Sequence, residues 1–271
     1  MSRTDKPRAP KKRITGTFPI STGTARITAD ETRDGAYLLE VNDVPSSHIV
    51  LGAPRVLTFP YMQWLAPLID AHITRLPHRR GIHVVHLGGA GCALARYVAD
   101  KWPSTRNTVS EIDADLARLV RASFDIPAPP AVDIVATEAR SLIHALPAGG
   151  ADVLIRDVFS GADTPRHLQT VEFFEAARRA LGKGGLYAAN VGDYAGLPVT
   201  RREAAGMLRA FRHVAAVAPL DMIEGRRYGN LLLLGSDQPL GDITAAAADD
   251  LRVRGMEFVA RLSANERPLR D

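Results

Sequence analysis

The chain is poor in several things that would settle its class at once. Cys92 is the one cysteine in 271 residues, which excludes an internal disulfide and suits a reducing compartment. No apolar run reaches the roughly 20 residues that a bilayer span needs, and the basic N-terminus lacks the apolar core of a signal peptide. A cytoplasmic protein with no membrane contact is expected. The eight histidines show no metal-ligand spacing, and His83 and His86, three apart in an expected strand, point to opposite faces. No metal is expected, and no internal repeat is visible. Charge of one sign is also scarce outside one segment. The net charge is +4, but residues 1–13 hold six basic side chains against Asp5, which leaves the remaining 258 residues at −1. The body therefore carries no electrostatic footprint for nucleic acid. Such contact is not expected except through the basic tail, which has no aromatic residue to stack on a base. Residues 1–13 read as a disordered tail.

What is present is ordinary for a soluble domain: 46% hydrophobic and 24% charged residues, in a chain long enough for one α/β domain and a small appendage. Residues 14–59 read as a β-rich subdomain, with runs ITGTFPI, TARITA, AYLLEV and SHIVL separated by turns at Ser21-Thr22-Gly23 and Arg33-Asp34-Gly35. Residues 60–73 read as a helix with Tyr61, Trp64, Leu65, Leu68 and Ile69 on one face. Pro67 is expected to kink or break it, and Trp64 to lie in the core. From residue 82 apolar runs alternate with helical segments. Strands are expected at 82–87, 107–111, 132–136, 151–156, 185–191, 213–218 and 229–235, and helices at 91–101, 113–123, 138–145, 170–181, 198–209 and 241–262. The last helix, with Leu251, Phe258, Val259 and Leu262, would pack on the sheet or on a second subunit, and a homodimer is expected. Strands separated by helices imply right-handed crossovers. The fold class is α/β: a Rossmann-like, seven-stranded, mainly parallel sheet with helices on both faces, over residues 60–271, plus the small N-terminal β-rich layer. A short glycine-containing link before the last strand predicts that this strand runs antiparallel, the arrangement of the S-adenosylmethionine-dependent transferase fold.

The chain is organised around residues 83–113, HVVHLGGAGCALARYVADKWPSTRNTVSEID: strand, glycine turn, helix, strand, acid. Gly88, Gly89 and Gly91 would let a nucleoside approach the backbone beside the positive end of a helix. Glu111, with Ile112 and Asp113 behind it, ends the second strand about 20 residues on, where a carboxylate can hold ribose hydroxyls. The spacing is not a full G-x-G-x-x-G, because Ala90 and Cys92 stand where glycine would help. A plain strand-to-helix turn, with Asp113 as a helix cap, is the competing reading. Ligands of open sheets sit beyond the carboxyl ends of the strands. The third strand ends at Thr137-Glu138-Ala139-Arg140, the fourth at Asp157 and the loop 158–165, the fifth at Asn190 and Asp193. Glu138 and the backbone at Ala139 suit an adenine edge, against a simple helix-start acid. Asp157 suits a reacting centre, where a carboxylate attracts a sulfonium or deprotonates an amine, against a loop cap. Cys92 reads as a small packed residue, His48 as either near a substrate entrance or on the surface, and Arg226-Arg227 as a solvated turn or a contact for an acidic partner.

The runs HLGGAGCALARYV, VSEIDADLARLVR, VATEARSLI, DVLIRDVFSGADTP, FFEAARRALGKGGLYAANVGD and GRRYGNLLLLGSD resemble the spermidine synthase family over residues 38–237, closest to its spermidine-synthase-like bacterial branch. The resemblance implies S-adenosylmethionine or its decarboxylated form as co-substrate. By position it gives Gly88 and Gly89 to the glycine motif, Glu111 to the ribose, Glu138-Ala139 to the adenine, and Asp157 to the base for the attacking amine. Gly229 falls at the glycine between the last strands. The departures are specific. The G-G-G-D-G-G motif has lost the acid that grips the nucleoside's amino end, with Ala90 and Gly91 in its neighbourhood. D-P-x-G-P-A has become SGADTP, where Asp163 partly substitutes. The family's Gln near the N-terminus is Ser46, its Tyr-His-Glu is Tyr61-Met62-Gln63, and its Gln after the fifth strand is Asn190. A buried diamine with one unpaired ammonium costs several kcal/mol, roughly, so putrescine is not the expected acceptor. Three readings stand. The first is a transferase using an adenosyl nucleoside on an unidentified acceptor, with methyl transfer slightly favoured. The second is an aminopropyltransferase with an acceptor site rebuilt with Asp157, Asp163 and Asp193; Tyr61, Asp163, Asn190 and Asp193 are the candidate substrate contacts. The third is a non-catalytic nucleoside-binding or interaction protein.

Overall fold

The computed structural model describes residues 14–77, 81–161, 163–241 and 250–271; the expected basic tail lies outside them. A four-stranded antiparallel meander comes first: β1 (Gly16–Ile20), β2 (Gly23–Ala29), β3 (Ala36–Val41) and β4 (Val44–Val50), in that spatial order. Asn42 and Asp43, with φ of 51° and 63°, form the two-residue turn between β3 and β4, the backbone that a right-twisted hairpin favours. Ile27, Leu39 and Ile49 alternate inward from this sheet and are buried.

Helix α1 (Pro60–Arg75) starts on a proline and runs unbroken through Pro67. The missing N–H costs one bond to the preceding turn, but Leu65, Ala66, Leu68 and Ile69 are buried on both sides of it and hold the helix against the core. Trp64 is partly buried there, as expected.

The main sheet consists of β5 (His83–Leu87), β6 (Arg106–Glu111), β7 (Val132–Ala136), β8 (Ala151–Arg156), β9 (Leu181–Asp193), β10 (His213–Pro219), β11 (Gly229–Ser236) and β12 (Leu251–Arg254), in the order β12-β10-β11-β9-β8-β5-β6-β7. The pairs β5–β6, β6–β7, β5–β8 and β8–β9 are parallel. Strand β11 is inserted antiparallel between β9 and β10, as the short link before it predicts. The seven expected strands are joined by an eighth. Of the helix expected over 241–262, residues 242–249 lie outside the described ones; in the rest, β12 pairs antiparallel with β10 and is followed by a short helix, Met256–Leu262. Leu251 and Val253 alternate with arginines and Gly255 breaks the run, so this segment covers the open edge of β10, which would otherwise present unpaired backbone groups.

Among the described residues the remaining α-helices are α2 (Ala93–Lys101), α3 (Ala114–Ser123), α4 (Ala139–Ala145), α5 (Val171–Ala180), α6 (Pro198–Ala210), the single turn α7 (Leu220–Ile223) and α8 (Met256–Leu262). They divide between the two faces of the sheet. Helices α1, α2 and α3 share one apolar cluster with the N-terminal meander, whereas α4, α5, α6 and α8 share the other. Among the described residues no helix is long and apolar enough to cross a membrane.

Candidate active site

The glycine turn between β5 and α2 is shaped by close backbone contact. Gly88 has φ +82°, and a Cβ there would sit 2.2 Å from the Asp157 carbonyl; a Cβ at Gly89 would sit 2.3 Å from the Val109 side chain. Only glycine fits either position. Ala90 and Cys92 also take positive φ, 37° and 58°, a conformation that side chains disfavour. These are the two positions where the sequence lacked expected glycines, and they delay the start of α2 to Ala93. Cys92 is buried, and that burial pushes its thiol up to about 12, so it packs as a small residue.

Glu111 closes the turn from the other side. Its carboxylate accepts from the Ala90 N–H at 3.2 Å and the Asp113 N–H at 3.1 Å. Burial raises its pKa, and the backbone donors counter that rise. Two acceptors used once each leave lone pairs for hydroxyl donors. Ile112, beside it, is 66% exposed, an apolar side chain displayed at the rim. Asp113 is fully engaged elsewhere: one oxygen caps α3 through the Asp115 and Leu116 N–H groups, both at 2.9 Å, and the other accepts from the Thr22 N–H at 2.6 Å and hydroxyl at 2.8 Å. It ties the β1–β2 turn to the helix.

Glu138 caps α4, accepting from the Arg140 N–H at 2.9 Å and the Ser141 N–H at 2.8 Å, with His167 Nε2 at 3.0 Å. Burial opposes its ionisation, but the donors outweigh it and the pKa is lowered. Ala139 is buried behind it. Gly91 is crowded by Ser47 on β4. The Ser47 hydroxyl accepts from the Gly91 N–H at 2.9 Å, and a Cβ at Gly91 would lie 2.7 Å from the Ser47 Cβ. The serine fills the space in which a side chain at this position would begin.

Asp157, just beyond β8, is the centre of a second group of side chains. Its Oδ2 accepts from the Tyr61 hydroxyl at 2.6 Å and its Oδ1 from the Asn190 amide at 2.9 Å, while Asn190 in turn accepts from the Asn230 amide at 3.0 Å. Burial raises the Asp157 pKa; Tyr61, Asn190 and the neighbouring Arg156 pull against that rise. The Tyr61 phenol is raised well above its ordinary value, by burial first and by the Asp157 charge second. Tyr61 on α1 and Asn190 on β9, itself held by Asn230 on β11, thus converge on the carboxylate just beyond β8, which keeps lone pairs free for a further donor.

The structure does not bring Asp193 into this group. Asn190 and Asp193 stand three apart on β9, so they face opposite sides of the sheet. The Asp193 carboxylate is fully buried, receiving the N–H groups of Tyr194 (2.8 Å), Val199 (3.2 Å) and Thr200 (2.7 Å) at the start of α6. Asp163 lies exposed in the loop after β8, bridged to Ser160 through the backbone. Gln63 donates to the Leu57 carbonyl at 2.7 Å. His48 pairs with Asp30 at 2.9 Å, and Arg227 pairs with Asp221 at 2.5 Å and Arg226 with Glu224, acids of their own turn. Among the described residues no group of His, Cys, Asp and Glu has a metal-binding arrangement.

Reading the sequence missed Ser47, Asn230 and the pair Arg156–Glu203. For the first two no local signal exists. The third had one: an arginine inside the apolar run ADVLIR and a glutamate on the buried face of α6. They meet with side chains fully buried, at 2.8 and 3.1 Å, directly beneath Asp157.

No family model matches the sequence. A curated polyamine aminopropyltransferase from Chromobacterium violaceum is 26% identical over 109 residues, which span 40% of this chain and 41% of that protein. The crystal structure of a spermidine synthase in complex with the transition-state analogue AdoDATO superposes with TM-score 0.61 at 15% identity, over 92% of this chain and 86% of that one, a likeness of fold. A probable spermidine synthase from Corynebacterium glutamicum superposes with TM-score 0.89 at 40% identity, covering 96% of this chain and 97% of that one. With two residues in five identical over nearly the full length of both chains, the chain belongs to the spermidine synthase family.

Proposed function

We propose that this protein transfers an aminopropyl group from decarboxylated S-adenosylmethionine to an amine acceptor. The observation that carries this reading is the Tyr61–Asp157–Asn190–Asn230 chain at the carboxyl ends of the strands, in a fold whose relatives bear the names spermidine synthase and polyamine aminopropyltransferase. Methyl transfer, slightly favoured from the sequence, is set aside because the relatives that share identity carry aminopropyl-transfer names.

The nucleoside supplies an electrophilic carbon next to a sulfonium. Glu111 offers its free lone pairs to the ribose hydroxyls, Ile112 an apolar surface to the base, and Gly88 and Gly89 a backbone open to close approach. Glu138, its carboxylate already on three donors, contributes chiefly by fixing the start of α4 and Ala139. Asp157 accepts a hydrogen bond from the acceptor's ammonium and takes its proton. The freed nitrogen lone pair forms the new C–N bond while the C–S bond breaks, both electrons leaving on sulfur as neutral methylthioadenosine. Tyr61 and Asn190 fix the carboxylate's orientation and leave each oxygen a further lone pair for the amine.

The test is amine-dependent release of methylthioadenosine, measured by mass spectrometry with decarboxylated and intact S-adenosylmethionine in parallel. Release with the decarboxylated form, lost in Asp157→Asn, supports the proposal; methylated acceptor with the intact form, or no release with any amine although the nucleoside binds, overturns it.

A further inference from the structure

On the face of the sheet where Asp157 meets Tyr61 of α1, the rim continues past Asn190 and Asn230 into an exposed aromatic pair. The ladder between β9 and β11 ends where Gly229 stands opposite Asp193, so Tyr228 and Tyr194 face each other one step beyond it. Tyr228 is two residues from Asn230 and Tyr194 four from Asn190, even offsets that put all four on one side of the sheet. The positions between them face the other way. Asp193 is held by the start of α6, and a Cβ at Gly229 would lie 3.3 Å from the Met222 sulfur, part of the apolar cluster of α4, α5 and α6. The two tyrosine rings are 5.4 Å apart and tilted by 51°, with the residues 50% and 59% exposed. Along β11 the step from Asn230 to Tyr228 is about 7 Å, and Asn230 reaches Asp157 through Asn190. The rings are therefore within reach of a short chain held at Asp157.

The surroundings of the pair decide what that chain carries. Leu220, just past β10 on the same rim, is 36% exposed, and apolar surface gathered in one place marks a contact site. The acids of this stretch are already taken. In the connections 194–197 and 220–228, Asp221 is paired with Arg227 and Glu224 with Arg226. Asp163 lines a cleft with Val199 and Arg202 of α6, the helix packed on the opposite face. A second ammonium, the far end of a simple diamine, would meet two rings and no unpaired carboxylate here. An aromatic ring would leave water and gain an edge or face contact with either tyrosine.

We propose that Tyr194 and Tyr228 form the subsite for the far end of the acceptor, and that this acceptor is an arylalkyl monoamine with its nitrogen at Asp157. The chemistry at the carboxylate is unchanged: the amine gives a proton to Asp157, its nitrogen bonds to the aminopropyl carbon, and methylthioadenosine leaves with the electrons of the C–S bond. The proposal specifies the acceptor class of the transfer reading and rests on that reading for its catalytic meaning. Binding at the tyrosines is tested apart from it.

2-Phenylethylamine and putrescine present the same primary amine with different far ends. Calorimetry on the full chain, with and without methylthioadenosine, compares them. Phenylethylamine is expected to bind at least about 10-fold more tightly. Tyr228→Ala and Tyr194→Ala should each weaken it about 3- to 10-fold, the range for an aromatic pair, and leave putrescine unchanged. Tyr228→Phe, which keeps the ring, should bind like the wild type. Both residues are at least half exposed, so the variants should keep the wild-type melting temperature. The proposal is overturned if putrescine binds as tightly as phenylethylamine, if both alanine variants leave phenylethylamine binding intact, or if neither amine binds in either condition. A shift in sedimentation of Tyr228→Ala with unchanged amine affinity overturns it too, and makes the pair a contact between copies of the chain. The two readings fail separately. Tyrosine-dependent phenylethylamine binding without methylthioadenosine release from any amine removes the transfer reading and leaves the subsite. Release with putrescine, indifferent to both tyrosines, does the reverse.

Discussion

The two halves of the site are built in different ways. On the nucleoside side, Glu111, Asp113 and Glu138 accept from backbone N–H groups two or three residues ahead of them. Each is an acid at a strand end or helix start, fixed at least in part by donors close in sequence. On the acceptor side, Asp157 is held by side chains from positions 61 and 190, and the relay continues to position 230. Local donors hold much of the first half, with the Ala90 N–H on Glu111 and Thr22 on Asp113 added from farther along the chain. The second half depends on α1, β8, β9 and β11 staying in register.

Breaking Asp157 should therefore give the largest functional effect. Asp157→Asn keeps the shape and removes the proton acceptor, and transfer should fall about 10²- to 10⁴-fold with nucleoside binding retained; steady-state kinetics and calorimetry on one preparation check this. The largest effect on stability should come from the buried pair beneath it. Arg156→Met leaves Glu203 charged and unpartnered in the interior and should cost about 3–5 kcal/mol by urea denaturation, whereas the double variant Arg156→Met/Glu203→Leu should recover much of that loss. On the nucleoside side, Asp113→Ala removes the α3 cap together with the tie to Thr22. It should cost roughly 1–3 kcal/mol and loosen the N-terminal meander, visible as faster amide exchange in β1 and β2.

Tyr61→Phe sharpens the comparison through pH. Asp157 accepts a proton only when ionised, and its pKa is raised by burial, so activity should be lost, as pH falls, at a higher pH than for an ordinary aspartate. The Tyr61 hydrogen bond opposes that rise. Removing it should move the acidic limb of kcat/KM to still higher pH, with little effect at the alkaline end of the plateau. The smallest effect is expected at the glycine turn. Gly91→Asp alone clashes with Ser47 and should weaken nucleoside binding. Gly91→Asp combined with Ser47→Gly should shift preference toward the decarboxylated nucleoside, measured as a ratio of dissociation constants.

Much of this was legible because the signals were local. The seven alternating strands follow from apolar runs of fixed length, and the reversed β11 from a link too short for a crossover helix. Glu111 and Asp157 stand out because acids close apolar strands. The eighth strand was hidden because LRVR reads equally well on a helix until β10 is seen to need an edge partner. Pro67 pointed to a break that burial on both sides of it overrode. Asp193 suggested an acceptor ligand, and its three-residue offset from Asn190 placed it under α6 instead. Ser47 with Gly91, Asn230 with Asn190 and Arg156 with Glu203 pair across 40 to 47 residues of sequence, and the first two leave no local trace.

The order of letters determined the period of each element, the sites where only glycine fits, and the acids that end the strands, since these depend on bonds within a few residues. Which carboxylates remain free for a substrate, and which are held by backbone amides, was decided only when distant strands met. A carboxylate's role is set by the donors around it, and for Asp157 those donors come from two other elements of the folded chain, with a third holding one of them.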